Sequence, residues 1–244
     1  MRIVRFDTLP STNQYCELLN LTETEEFTVI VACTQTAGIG QRGNHWEASP
    51  NQNLTFSIIL KPIFLPIADQ YQLTKAVSLG ITDWLMPIVP QGKERVRIKW
   101  PNDIYVESSK ICGILTTHRI VGERISSTIV GIGVNVNQQQ FPDWVPNPTS
   151  LRIVTGKEWH LDGLLDSLLS SISKRYEELR TQPLGILDSP YLNLLLRRGI
   201  EAPYSYHGNT IAATLQGVNR YGHLQLTTRT GEHLSCQLKE IQFL

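Results

Sequence analysis

The sequence predicts an α+β domain followed by a small all-β barrel. Three observations carry this. Runs of β-branched residues, FTVIVACT (27–34) and NLTFSIIL (53–60), read as buried strands. Two long segments, 68–86 and 161–180, place apolar residues at helical spacing. After about Arg198 the chain turns to β-formers punctuated by Tyr221-Gly222 and Thr230-Gly231.

In chain order, RIVRF (2–6) reads as a short strand. Ser11 or Thr12 can cap a helix whose apolar positions include Tyr15, Leu18 and Leu19. The strands 27–34 and 53–60 flank a glycine-rich loop, QTAGIGQRGNHWEASPNQ. Helix 68–86 carries Tyr71, Leu73, Ala76, Val77, Ile81, Trp84 and Leu85 on its apolar positions. Strands are expected at 95–100, 111–118 and 126–134. Pro142, Pro146 and Pro148 interrupt the next stretch. The helix over 161–180 then presents Leu164, Leu165, Leu168, Leu169, Ile172 and Tyr176 on one face, and Pro183 ends it. The expected units are residues 1–196 and 197–244.

A chain of 244 residues can bury a full core without staples. Lys plus Arg total 22 and Asp plus Glu total 22, with no basic run, so nucleic acid is not an expected partner. Cys16, Cys33, Cys112 and Cys236 form no metal-site spacing and read as reduced, mostly buried thiols. Neither a signal core nor an apolar run of membrane length is present, and a cytoplasmic setting is the expectation.

Two segments suggest chemistry. Gly38, Gly40 and Gly43 spell G-x-G-x-x-G after a strand. A dinucleotide fingerprint would need a helix at once and an acid about 20 residues on. The loop instead runs into Asn44-His45-Trp46, and position 63 is Ile, so that reading fails. Its glycines could still bring backbone amides close to a phosphate, with Arg42 as a charged donor and Trp46 as a flat face. The second segment is Lys99-Trp100-Pro101-Asn102-Asp103, followed by Lys110 at the start of ICGIL. Asn102 and Asp103 favour a turn, and the strands around it could set Asp103 and Lys110 on one pocket wall. A lysine there suits activation of a carboxylate by a nucleotide, because two anions must meet and a cation between them lowers the barrier.

Four blocks together resemble the biotin–protein ligases: Ser11-Thr12-Asn13, the loop Gln35–Trp46, KWPND with Lys110 and Gly113-Ile114-Leu115, and GIGVNVN (131–137). The resemblance implies the family's mixed sheet with packed helices, of the class II aminoacyl-tRNA synthetase/biotin ligase type, plus an SH3-like C-terminal domain. It implies formation of biotinyl-5′-adenylate from biotin and MgATP, then transfer to a lysine of a biotin carboxyl carrier domain. By carry-over, Ser11, Thr12, Asn13, Gln35, Gly38, Ile39, Gly40, Gln41, Lys110 and Gly113 would surround biotin. Arg42, Trp46, Lys99, Asn102, Lys110 and Asn135 would surround ATP. Lys110, Asp103 and Arg42 would be catalytic, Asp103 by orienting or deprotonating the incoming lysine or by helping to hold Mg2+. The chain begins almost at the STN block, so it resembles the single-function type without an N-terminal DNA-binding domain. The resemblance leaves both a monomer and a homodimer open.

The loop departs from the family's usual G-R-G-R-x-G-x-x-W: Ile39 and Gln41 stand where two arginines are common. A lipoate- or octanoate-transferring enzyme of the same fold, with Cys112 as acyl carrier, is the enzymatic alternative. A non-catalytic biotin- or adenylate-binding protein is the other.

Overall fold

The computed structural model describes residues 1–244, with the side chain of Arg42 outside the described set. The main sheet contains β1 (Arg2–Leu9), β2 (Thr28–Gln35), β3 (Leu54–Leu60), β4 (Val96–Lys99), β5 (Asp103–Val106), β6 (Ser109–Val121) and β7 (Arg124–Val134). Their order is β1-β2-β3-β7-β6-β5-β4. β1 and β2 pair in parallel, and the other neighbours are antiparallel, so the sheet is mixed. The helices are α1 (Thr12–Leu18), α2 (Tyr71–Leu85), α3 (Gly92–Arg95), α4 (Leu151–Thr155), α5 (Leu161–Thr181) and α6 (Asp188–Leu194). A five-stranded antiparallel sheet follows: β8 (Glu201–Tyr206), β9 (Asn209–Val218), β10 (Leu224–Thr228), β11 (His233–Cys236) and β12 (Ile241–Phe243), a small SH3-like unit. No helix is long and apolar enough to cross a membrane.

Strand β3 sits mid-sheet with all its residues buried. Its alternation sends Leu54, Phe56, Ile58 and Leu60 into the large core with the apolar faces of α2 and α5. Ser57 and Ile59 point to the opposite face, where α1 lies. That face carries only a small apolar cluster, around Cys16, Ile30 and Ile59, which leaves room for polar groups.

Two expectations change. The segment after KWPN is no simple turn, because Asp103–Val106 forms a strand of its own between β4 and β6. Helix α1 does not bury Leu18, which is 85% exposed; Thr12, Asn13 and Cys16 face inward instead. The thiols are as expected: all four are free, and Cys16, Cys112 and Cys236 are buried, with Cys33 exposed.

The two sheets are latched together at the KWPND turn. The Trp100 indole donates to the Gly222 carbonyl at 2.9 Å. Gly222 has positive φ, and a methyl group there would overlap the Tyr71 ring, whose hydroxyl reaches the Pro101 carbonyl at 3.3 Å. Beside them Arg220 makes a bidentate bond, 2.6 Å on each arm, to the buried carboxylate of Asp69.

At the far end, Glu26 ties α5 to the sheet, accepting from Tyr176 Oη at 2.7 Å, Arg180 Nη2 at 2.6 Å and the Lys61 amide at 2.9 Å. Burial would raise this carboxyl, but the three hydrogen bonds outweigh it and hold it below its ordinary value. The stabilisation is therefore complete above the ordinary carboxylate range and lost as pH falls through the lower folded value. Glu26→Gln is expected to lower Tm at neutral pH by about 2–4 °C. The two proteins should converge in acid, which a series of melts against pH will show.

Candidate active site

The polar face of the sheet holds a cleft of about 160 Å³. Its blind end is built by α1. Ser11 caps that helix, its hydroxyl facing the Gln14 amide at 3.5 Å, and this sets Thr12 and Asn13 against the sheet. Gln35 Oε1, at the end of β2, accepts from the Thr12 amide at 2.7 Å and the Thr12 hydroxyl at 3.1 Å. Ser57 Oγ lies 2.7 Å from Thr12 Oγ1 and 2.5 Å from Asn13 Oδ1. These neutral donors and acceptors are linked and largely buried, so they form a preorganised polar pocket with apolar walls from Ile39, Trp46 and Leu115.

Glycines make the space. Leu115, Gly131 and Ser57 are cross-strand partners, and Gly113, Gly133 and Thr55 form the next row. A methyl group at Gly131 would overlap the Asn13 carboxamide, and one at Gly133 would overlap the Trp46 indole. Trp46 thus rests on the sheet where two strands lack side chains. The glycine loop that delivers it is a small hairpin, with Ile39 bridged to His45 and a 3₁₀ turn at Gln41–Gly43. Its Gly40 amide donates to the Asn44 carbonyl at 2.6 Å, and Trp46 N donates to the Gly38 carbonyl at 2.9 Å.

Lys110 and Asp103 meet on adjacent strands. Lys110 Nζ lies 2.7 Å from Asp103 Oδ1 and 5.5 Å from the Trp46 ring centroid. The two side chains form a close, half-buried ion pair. Asn102 donates to the Ile114 carbonyl at 2.5 Å, which pins the turn to β6.

Beyond Trp46 and Lys110 a second cavity of about 220 Å³ opens, lined by Asn135, Phe141, Trp144 and Pro146. Asn135 donates to the Thr149 carbonyl at 3.0 Å, and its own buried Oδ1 has no partner. Lys110 and Trp46 line both cavities.

The structure therefore brings together Ser11, Thr12, Asn13, Gln35, Ile39, Gly40, Gln41, Trp46, Asn102, Asp103, Lys110 and Gly113 around the first cavity, with Asn135 at the second. Gly38 lies just outside, under the Trp46 backbone. Arg42, as a side chain, falls outside the described residues. Lys99 is not in either cavity; it lines a separate cleft with Tyr105 and Phe243. Ser57 escaped the sequence reading; a serine inside an apolar run is the available signal for it. Cys112 is fully buried, and burial pushes its thiol far above the ordinary range, which removes it as an acyl carrier.

The chain is similar to several known proteins along most of its length. The bifunctional ligase/repressor BirA of Bacillus subtilis is 30% identical over 232 residues, covering 94% of this chain and 70% of that protein. A biotin--[acetyl-CoA-carboxylase] ligase of Paracoccus denitrificans is 28% identical over 174 residues, covering 70% and 71%. The Aquifex aeolicus biotin protein ligase, solved with biotin and ATP, superposes with a TM-score of 0.81 at 25% identity, over 100% of this chain and 98% of that one. Residues 5–135, which include the whole lining of the first cavity, match the biotin/lipoate A/B protein ligase family, and the chain belongs to that family.

Proposed function

We propose that this protein is an ATP-dependent biotin–protein ligase: it forms biotinyl-5′-adenylate from biotin and MgATP, then transfers biotin to one lysine of a biotin carboxyl carrier domain. One observation carries the reading. The Lys110 ammonium stands where a polar, hydrogen-bonding pocket meets an aromatic one. The first pocket, with Thr12, Asn13, Gln35 and Ser57, suits a ureido group among apolar walls. The second suits adenine, with Trp46 and Asn135 on its walls.

In this reading a biotin carboxylate oxygen attacks the α-phosphorus, the bond to the bridging oxygen breaks and pyrophosphate leaves. Lys110 lies between both anions and offsets the charge that builds there. The acceptor amine then attacks the acyl carbon, the acyl–phosphate bond breaks, AMP leaves and the amine gives up a proton. Asp103, on the cavity wall beside Lys110, orients that amine or takes its proton.

The donor set fits magnesium brought in by the nucleotide. Among the described residues no cluster of three acidic, histidine or cysteine groups exists, and Asp103 is the carboxylate that lines the first cavity. Magnesium is ordinarily held by one or two carboxylates together with phosphates. When bound it supplies screening of phosphate charge. A cytoplasmic setting belongs to the same reading, in keeping with four free thiols.

The test is direct. Biotin and MgATP added to the purified protein are expected to release pyrophosphate, and a carrier domain added next is expected to gain the mass of one biotinyl group. Lipoate in place of biotin is expected to give neither. No pyrophosphate release with biotin would sink the assignment.

The altered loop has a consequence. Ile39 can only pack, and Gln41 offers neutral donors, so the adenylate phosphate meets less charge than two arginines would supply. Gln41→Arg is expected to slow release of the bound adenylate about tenfold, the worth of one charge-assisted bond. Equal off-rates for the two proteins would remove this idea.

A further inference from the structure

At the outer edge of the main sheet, three arginines line one cleft. Arg97 reaches it from β4, and Arg197 and Arg198 from the segment joining α6 to β8. The cleft has a volume of about 520 Å³, and its other walls include Leu192, Leu215 and Ile200. Among the described residues no carboxylate lines it. The hydrogen bonds of Arg97 and Arg198 go to neutral acceptors. Arg97 Nη1 donates to the Lys93 carbonyl at 3.0 Å and the Val96 carbonyl at 2.7 Å. Arg198 donates from Nε to the Gln216 carbonyl and from Nη1 to Asn193 Oδ1, both at 3.3 Å. Of the nearby acids, Glu107 faces Arg95, Asp188 faces Lys75 and Glu201 faces Arg229, while Glu94 is not part of the lining. Ile200, next to the arginine pair in the chain, is 60% exposed. The surface is thus basic with an apolar border.

Register places this cleft relative to the chemistry. Val96 and Ile98 are buried in the large core, so Arg97 between them faces the side of the sheet that carries the first cavity. Arg97, Tyr105 and Lys110 are successive cross-strand partners on β4, β5 and β6. Arg97 therefore stands two strand spacings, about 10 Å, from Lys110. Strand β4 is the last of its sheet, and the segment carrying the other two arginines runs alongside it. There the Leu196 amide donates to the Ile98 carbonyl at 2.8 Å, and the Gly199 amide donates to the Leu215 carbonyl at 2.9 Å. These bonds join β4, the connecting segment and β9 side by side, so the arginines share one surface with the Asp103–Lys110 pair.

We propose that this cleft is where the acceptor protein docks: an acidic face of the carrier domain settles on Arg97, Arg197 and Arg198 while its lysine reaches Asp103. The proposal rests on the ligase reading above. An ordinary protein interface covers roughly 800 Å² on each partner, enough to take in the cleft and the catalytic pair together. Arginine forks bind carboxylates in two-pronged fashion, and arginines beside exposed apolar side chains are a common composition for protein interfaces. A basic landing surface also steers an acidic partner toward the site and fixes its orientation. Nucleic acid is the weaker match, because the chain has no net positive charge and the three arginines are bordered by aliphatic side chains. The docking surface spans both sheets, which gives the second sheet a part in choosing the acceptor.

The experiment supplies biotinyl-5′-adenylate and measures transfer to a carrier domain by the full-length protein, by Arg198→Gln and by the double variant Arg97→Glu with Arg198→Glu. Arg198→Gln is expected to raise KM for the carrier about tenfold, the worth of a charge-assisted hydrogen bond, and the double variant about a hundredfold or more. Added salt is expected to raise the wild-type KM and to leave the double variant's nearly unchanged or lower it. Biotin-dependent pyrophosphate release, and the reaction of bound adenylate with hydroxylamine, use no docked protein and are expected to hold in both variants. An unchanged carrier KM in the double variant would overturn the surface while leaving the ligase intact. Reaction with hydroxylamine that falls as far as transfer to the carrier would show a merely structural role and overturn it too. A DNA duplex that binds the wild type but not the double variant, with carrier KM unmoved, would assign the cleft to nucleic acid instead. A wild-type protein that releases no pyrophosphate fails at the earlier assignment, and is told apart by that.

Discussion

Lys110→Ala is expected to reduce biotin-dependent pyrophosphate release by about three orders of magnitude or more. Two losses combine. The ammonium that separates the two anions disappears, and Asp103, 2.7 Å away, is left as an unopposed negative charge beside them. The effect belongs to the chemical step rather than the fold, because Lys110 is held in the sheet by backbone bonds: its amide donates to the Asn147 carbonyl at 2.7 Å, and its carbonyl accepts from the Thr149 amide at 2.9 Å. A melt close to wild type should therefore accompany the loss. Asp103→Asn provides the contrast, since it keeps the ammonium and removes only the carboxylate. It is expected to spare adenylate formation more than transfer to the acceptor. Near-normal adenylation by Lys110→Ala would mean that the chemistry lies elsewhere.

Gly131→Ala is expected to raise KM for biotin roughly a hundredfold, the worth of two well-placed hydrogen bonds. The added methyl would overlap the Asn13 carboxamide, which Ser57 holds from the other side. Neither neighbour can yield easily: Ser57 is in an interior strand whose residues are all buried, and Asn13 is in the first turn of a helix capped by Ser11. The strain should also lower stability, by about 1–3 kcal/mol for an overpacked site. Gly133→Ala tests the same logic one rung away. Its methyl meets the Trp46 indole, which lines both cavities, so KM for ATP and for biotin should rise together. Isothermal titration with each substrate separates the two variants. An unaltered biotin affinity in Gly131→Ala would show that Asn13 is not part of the pocket.

The frame of the fold was legible because β-branched runs and helical spacing act locally. FTVIVACT and NLTFSIIL became β2 and β3, and the leucine face of 161–180 became α5. Strand Asp103–Val106 was hidden because it is four residues long and opens on turn-formers. The pairing of Asp103 with Lys110 could be read from the KWPND block, whereas the displacement of Lys99 could not. In sequence Lys99 lies four residues from Asp103; in the sheet it stands one strand further out, facing another cleft. The floor under Trp46 was illegible for a related reason: Gly113 and Gly133 become neighbours only through the β6–β7 register. Ser57 reads as one polar residue in an apolar strand until α1 is laid across it.

The contact between Trp100 and Gly222 has a consequence for how the molecule holds together. The turn that presents Asp103 is the same turn on which the second sheet is seated, and Tyr71 and Arg220 close the joint from both sides. Loosening that seat would release Pro101 and Asn102 as well, so disorder at the chain's end would reach the reacting groups. The unit of folding and the unit of catalysis coincide, and the terminal sheet serves as a keystone rather than a tail.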